Sequence, residues 1–335
     1  MAGTRTKEDR NELAQHRLRK VLKANTVCSG RTLEQKISDA GPSPMRIDPH
    51  VLTTARKGLE TLGEIAPVTL DNMRWYYLRT TSDAAVQTKL DVLRPLHRDL
   101  QEGGFLKRMG QTLEIATYRA LLAQPHLRTL GAYLDIGAHD DATLYSKEEP
   151  PARISGRTCS GRLDFIVVTE TGQFAGIEIK NAREWMYPDR DEVRQLIKKC
   201  VDLDIVPVLI ARRIPFVTFK LLTACGAIVH QTYNQLFPAT DSALAARASN
   251  KLMFGYHDVR LGNDPDARLK RFVIDHLPGL IDKQQDKFDE FYDLLAAFAS
   301  KAMDYTEFAA RVRRRLAGTN EDNDWPEDDL TFGRE

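Results

Sequence analysis

Gly161-Arg-Leu-Asp-Phe-Ile-Val-Val-Thr-Glu-Thr-Gly-Gln-Phe-Ala-Gly-Ile-Glu-Ile-Lys-Asn181 is the stretch on which the reading of the chain turns. An apolar run, a Thr171-Gly172 turn and a second apolar run predict a β-hairpin. Asp164, Glu178 and Lys180 interrupt the apolar pattern. Alternation along a strand sets Glu178 and Lys180 on one face and Ile177 and Ile179 on the other. A carboxylate and an ammonium side by side on a short apolar strand are costly unless solvated or used. Asp164, on the partner strand, completes a cluster. Two carboxylates form an oxygen site for a hard divalent ion, and a lysine beside it positions or deprotonates a water.

On these residues the hairpin resembles the active-site core of the PD-(D/E)XK nuclease superfamily, the restriction-endonuclease-like fold that includes archaeal-type Holliday junction resolvases. Its members carry a helix with a glutamate, a strand with an aspartate, a strand ending in Glu-x-Lys, and a further helix. Glu114 lies in the helix-like stretch Gln111–Ala123, Glu178-Ile179-Lys180 supplies the last motif, Asp191–Leu203 reads as the following helix and Val206–Ala211 as the next buried strand. The superfamily's Pro before the aspartate is absent, with Leu163 in its place. The likeness spans about residues 105–240 and is one of pattern. It implies an α/β fold, a mixed β-sheet flanked by helices.

The resemblance also implies roles. Asp164 and Glu178 give oxygen ligands to Mg2+, for which Mn2+ is a substitute, and the Ile179 backbone carbonyl is a further ligand. Lys180 orients the attacking water and stabilises developing negative charge. Glu114 holds a second ion or one of its waters. Gln195, on the following helix, touches the phosphate or Lys180. Arg157, Arg162, Arg183, Lys198 and Lys199 flank the hairpin as candidate phosphate contacts, and Trp185 and Tyr187 as candidate stacking residues.

Ahead of this core, Glu8–Lys23 is polar and helix-prone, Thr32–Ala40 reads as a short helix capped at Thr32, and Gly41-Pro42-Ser43-Pro44 as a turn. Asp48 reads as the cap of a third helix, Pro49–Leu62, closed by Gly63. Glu64–Thr69 and Arg74–Arg79 read as strands around an Asp71-Asn72 turn. This order resembles a winged helix-turn-helix, which implies DNA contacts from Thr53, Thr54, Arg56 and Lys57 on the third helix and from Arg74 and Arg79 on the wing. Residues 1–60 hold 12 Lys/Arg against 7 Asp/Glu.

Ser82–Glu102 is a helix-like stretch that Pro95 kinks or breaks, and Gly103-Gly104 reads as a linker. Within 125–160 the first strand of the core is expected around Tyr133–Ile136, and a fifth at Ala227–Thr232 after a Phe216–Cys225 helix. Beyond Phe237, helices are expected at Ala243–Leu252, Arg268–His276, Gln284–Lys301 and Tyr305–Leu316. The stripe Phe288, Phe291, Leu294, Leu295 and Phe298 reads as core or as a homodimer contact. The expected organisation is a winged helix at 1–81, a connecting helix at 82–104, a nuclease core at 105–240, a helical C-terminal region at 241–317 and a disordered tail at 318–335. Six acidic residues and no basic ones lie between Glu321 and Asp329.

At 335 residues and 42% apolar, the chain can bury a large core, and its formal net charge of +1 neither demands nor excludes nucleic acid. Four widely spaced cysteines with no Cys-x-x-Cys pair argue against a structural zinc site and suit a reducing compartment. The first residues are charged, with no signal-peptide pattern, and no run approaches the roughly 20 apolar residues that span a bilayer. A cytoplasmic protein with no membrane partner is expected. There is no His-Glu-x-x-His, no Gly-x-Ser-x-Gly and no Gly-x-x-x-x-Gly-Lys phosphate loop. His139-Asp140-Asp141 lacks the further ligands of a metal phosphohydrolase.

Together these features predict a magnesium-dependent DNA endonuclease, acting as a homodimer or with partner proteins in defence against foreign DNA or in repair. The alternative is a catalytically inactive DNA-binding regulator or adaptor built on the winged helix. A third reading has the acidic tail competing with DNA for the basic face until a partner displaces it.

Overall fold

The two apolar runs form the strands Phe165–Thr169 and Phe174–Lys180, paired antiparallel with Val168 opposite Phe174 and Phe165 opposite Ile177. Gly172, at φ +87°, closes the turn between them. A computed structural model describes residues 7–39 and 47–319; the turn expected at Gly41–Pro44 and the acidic segment from 320 onward lie outside these residues. The chain divides into two units, Met1–Leu106 with Asp241–Val259, and Lys107–Thr240 with Arg260–Glu335. Among the described residues no helix is long and apolar enough to cross a membrane.

The second unit holds the hairpin in a five-stranded mixed sheet. Its order is Ile228–Gln231, Val206–Ala211, Phe174–Lys180, Phe165–Thr169, Leu127–Leu130. The first three strands run parallel and the hairpin's outer strand antiparallel to both its neighbours. Every residue of Phe165–Thr169 and Val206–Ala211 is buried, the pattern of strands covered on both faces. Ile177 and Ile179 are fully or nearly fully buried, each contributing about 1.5–3 kcal/mol. The helix Asp191–Leu203 opens with Asp191 and Glu192 in its first turn, where acidic side chains oppose the helix dipole. It lies directly on Gly176: a Cβ there would stand 2.6 Å from Leu163 Cδ1 and 2.8 Å from Cys200 Sγ.

Several expectations shift. The first strand of the sheet is Leu127–Leu130, not Tyr133–Ile136. Gly131, at φ +92°, ends it, and Ala132–Tyr133 pairs instead with Lys147–Glu148. Gly103 and Gly104 are no linker: they begin the helix Gly103–Leu122, whose first amides are taken by the Glu102 carboxylate (2.7 Å from Gly104 N, 2.5 Å from Phe105 N). Pro95 lies inside the continuous helix Asp83–Leu100. Of the two readings of the Phe288–Phe298 stripe, core or dimer contact, the structure shows core of this unit, with Phe288, Phe291, Leu295 and Phe298 fully buried and Phe298 stacked on Phe308. All four cysteines are buried free thiols.

The first unit is built on the helix Lys7–Asn25, which buries Ala14, Leu18 and Leu22 at a spacing of four. There follow a strand Val27–Ser29, helices Gly30–Ile37 and Pro49–Thr61, and strands Ile65–Leu70 and Met73–Leu78. The three strands form one sheet with Met73–Leu78 in the middle. The cap of the second helix is Ser29, whose hydroxyl accepts from the Thr32 amide, and not Thr32 itself. Asp48 stands at the cap position of the third helix, but its side chain makes no capping bond. Asp71 and Asn72 both have positive φ, as a two-residue hairpin turn of type I′ requires. The C-terminal helical region expected at 241–317 is split. Its segment Asp241–Val259 joins this unit, with Arg247 bonded to Asp99 and Phe254 stacked on Trp75.

Candidate active site

Past the Phe165–Ile177 pair the hairpin ladder breaks. The Asp164 amide donates to Ile177 O at 3.0 Å, and the Asp164 carboxylate takes over the next rung, Oδ2 accepting the Ile179 amide at 2.6 Å. This break fixes Asp164 at the end of the Glu178–Lys180 segment. Backbone groups of Ile177 and Ile179 point to the same side of the strand, so the Ile179 carbonyl lies on the edge that faces Asp164.

Glu178 and Lys180 share the other strand face, as alternation requires: Lys180 Nζ donates to Glu178 Oε1 at 2.7 Å. The second oxygen of Glu178, Oε2, accepts from Lys199 Nζ at 2.9 Å. Lys199 comes from the helix that Gly176 admits close to the sheet. Glu114 projects from the helix Gly103–Leu122, its Oε2 accepting from Tyr133 Oη at 2.7 Å and from Lys147 Nζ at 3.1 Å. Lys147 Nζ is also 3.7 Å from Asp164 Oδ1 and lies over the Phe165 ring at 4.5 Å. Asp164, Glu178, Lys180 and Glu114 therefore belong to one connected cluster in which three lysines face three carboxylates.

The electrostatics follow from burial. Burial first, then the neighbouring Glu114 and Glu178 charges, push the Asp164 carboxyl up to about 7, against the pull of Lys147 and Lys180. Burial alone would lower Lys180; Glu178, its hydrogen bond, and then Asp164 and Glu114 outweigh it, and Lys180 is raised. The Tyr133 hydroxyl is raised by burial and by Glu114, so it stays a donor to that carboxylate.

Among the described residues no three His, Cys, Asp or Glu side chains converge closely enough to hold a metal ion by themselves. Each carboxylate is turned to a lysine. The donor set nonetheless fits magnesium. The ion takes oxygen ligands and is commonly held by only one or two carboxylates. A carboxyl raised by burial and then by two neighbouring carboxylates is a position that added positive charge would relieve. Asp164, Glu178 and the Ile179 carbonyl are the groups that would hold it.

Other expected residues stand apart. Gln195 is exposed on its helix, and no hydrogen bond found among the described residues ties it to the cluster. Arg157 pairs with Asp204, Arg162 bonds Pro150 O, Arg183 bonds Gln235 and Lys198 pairs with Asp202, so these flanking cations already serve the fold. Trp185 and Tyr187 are half-buried. Sequence reasoning missed Lys147 and Tyr133 as members of the cluster. It held Lys199 only as a phosphate contact, although Lys199 follows Leu196 and precedes Cys200, both on the buried side of the helix.

In the first unit, Thr54 and Lys57 are exposed on the third helix and Thr53 is half-buried. Thr54 Oγ1 donates back to His50 O. Arg56 is not available to read bases: it bonds Glu60 Oε1 and Tyr76 Oη and lies over the Tyr76 ring. Arg74 bonds the other Glu60 oxygen while half of its side chain stays exposed, and Arg79 is exposed. The turn between the hairpin strands is latched, with Asp71 bonded by Arg94 at 2.7 Å.

Comparison of the chain with protein-family models, with curated proteins and with solved structures finds no match.

Proposed function

We propose that this protein is a magnesium-dependent endodeoxyribonuclease with a restriction-endonuclease-like core and an N-terminal winged helix-turn-helix. The observation that carries the reading is the break in the hairpin ladder, which brings the Asp164 carboxylate to the Ile179 amide beside the Glu178–Lys180 pair. The sheet, with this hairpin next to a parallel strand and a helix between them in sequence, supports it.

A bound magnesium ion would supply Lewis acidity toward the scissile phosphodiester. The chain's own residues do the rest. Lys180, held by Glu178, places a positive charge where the attacked phosphate gains negative charge. Asp164 and Glu178 fix the approach of cation and substrate, and Glu114, fixed by Tyr133, borders the same cluster. The exposed Lys57 and Arg79 of the winged unit contribute phosphate contacts that hold the duplex. Cutting both strands calls for two copies of the site, and the buried Phe288–Phe298 stripe is not their interface.

A second reading, a DNA-binding regulator without catalysis, is favoured by one observation: every carboxylate of the cluster already faces an ammonium. Purified protein incubated with linear, nicked, branched and single-stranded DNA and with RNA, in magnesium and in chelator, separates the two. Magnesium-dependent cleavage of any DNA supports the nuclease; binding without cleavage in magnesium and manganese supports the regulator.

A further inference from the structure

We propose that Lys147 stands in for a second metal ion, so that the cluster takes a single divalent cation, between Asp164 and Glu178. This rests on the metal-dependent reading above and specifies its stoichiometry. Lys147 is the lysine of the cluster that bridges two carboxylates from different elements: its Nζ is 3.1 Å from Glu114 Oε2 and 3.7 Å from Asp164 Oδ1. Lys180 and Lys199 form ion pairs with Glu178 instead. A positive charge suspended between two carboxylates is the position of a metal ion, here filled by a side chain.

The surroundings hold it there. The Lys147 side chain is 9% exposed, against 28% for Lys180. Its ammonium lies 4.5 Å from the Phe165 ring centre and 5.6 Å from that of Tyr133. Tyr133 fixes the same Glu114 oxygen that Lys147 uses. The backbone sets the placement, since Lys147 pairs directly with Tyr133 in a two-residue ladder. A divalent ion entering between Glu114 and Asp164 would meet the like charge of this ammonium. Lys180 is more exposed and bonds Oε1 of Glu178, so an ion taking that oxygen displaces Lys180 and leaves Lys199 on Oε2. The Asp164–Glu178 side is therefore the one where a cation displaces the most exposed lysine of the cluster.

The test counts manganese ions on the chelator-stripped full chain by electron paramagnetic resonance of free Mn2+. The proposal expects one ion per chain for wild type and for Lys147→Arg. It expects two for Lys147→Met, the second binding at least tenfold more tightly than any second ion on wild type. Two equivalent ions on wild type overturn it while leaving the metal reading intact, and so does a single ion on a folded Lys147→Met. No bound ion on wild type removes the metal reading itself. The wild-type count decides even if Lys147→Met does not fold.

Discussion

Lys199 Nζ stands 2.9 Å from Glu178 Oε2 because the helix that carries Lys199 rests on Gly176, two residues before Glu178 on the same strand face. The contact is a buried ion pair, in which Glu178 is 9% exposed and Lys199 12%. Such a pair is costly to break from one side, because the partner is left charged and buried. The glycine is thus a condition for the charge arrangement at the site.

Gly176→Ala tests this link. Its Cβ would enter within 2.8 Å of both Leu163 and Cys200, and overpacking of this kind costs about 1–3 kcal/mol. Urea denaturation should show the loss. Cleavage should fall by more than the folded fraction does, since the displaced helix carries Lys199 off Glu178. A variant of wild-type stability would show that the helix does not need the close approach.

His230 sets an acid limit on stability. It stacks on Phe272 at 4.1 Å, and burial, then Arg268 and His276, lower it from 6.5 to about 4. The folded state therefore binds this proton more weakly than the unfolded chain. The stabilisation is complete above pH 6.5 and is lost as pH falls toward 4. His230→Gln should lose the stack at pH 7 but fall less steeply between pH 6.5 and 4, by about 2 kcal/mol over that interval. Parallel stability curves for the two proteins, from denaturation at several pH values, would refute the assignment.

The first unit gives a contrast between neighbours on one helix. Arg56 is 16% exposed and bonded within the unit, so Arg56→Ala should lower stability by about 1 kcal/mol. Lys57→Ala and Arg79→Ala should change stability by less than about 0.5 kcal/mol. Each should weaken DNA binding and reduce the salt dependence of affinity by about one phosphate contact. Fluorescence anisotropy across a salt series measures this, and unchanged slopes for both would remove the first unit from the proposed DNA contact.

Much of this arrangement was legible in the residues. The hairpin announced itself by apolar runs around Thr171-Gly172, and Glu178 and Lys180 by breaking them. The hairpin of the first unit was legible from Asp71-Asn72, residues that tolerate positive φ. What the sequence hid was long-range. Lys147 sits in a stretch of turns with no periodicity, and only its pairing with Tyr133 carries it to Glu114 and Asp164. The strand Val27–Ser29 is three residues long, too short for alternation to register. Gly103-Gly104 misled because glycines usually end helices, whereas here the Glu102 carboxylate satisfies the first free amides. Arg56 was legible as a basic residue on the right helix face, but Glu60 and Tyr76, which bind it, act through the fold.

The central claim is that Asp164 and Lys180 act together on a phosphodiester. The most direct measurement is the initial rate of DNA cleavage in magnesium by wild type, Asp164→Asn and Lys180→Ala, each checked for folding by its thermal transition. Wild type should cleave DNA in magnesium and lose that cleavage in chelator, and both variants should fall by at least about 100-fold. Cleavage by either folded variant at the wild-type rate would contradict it.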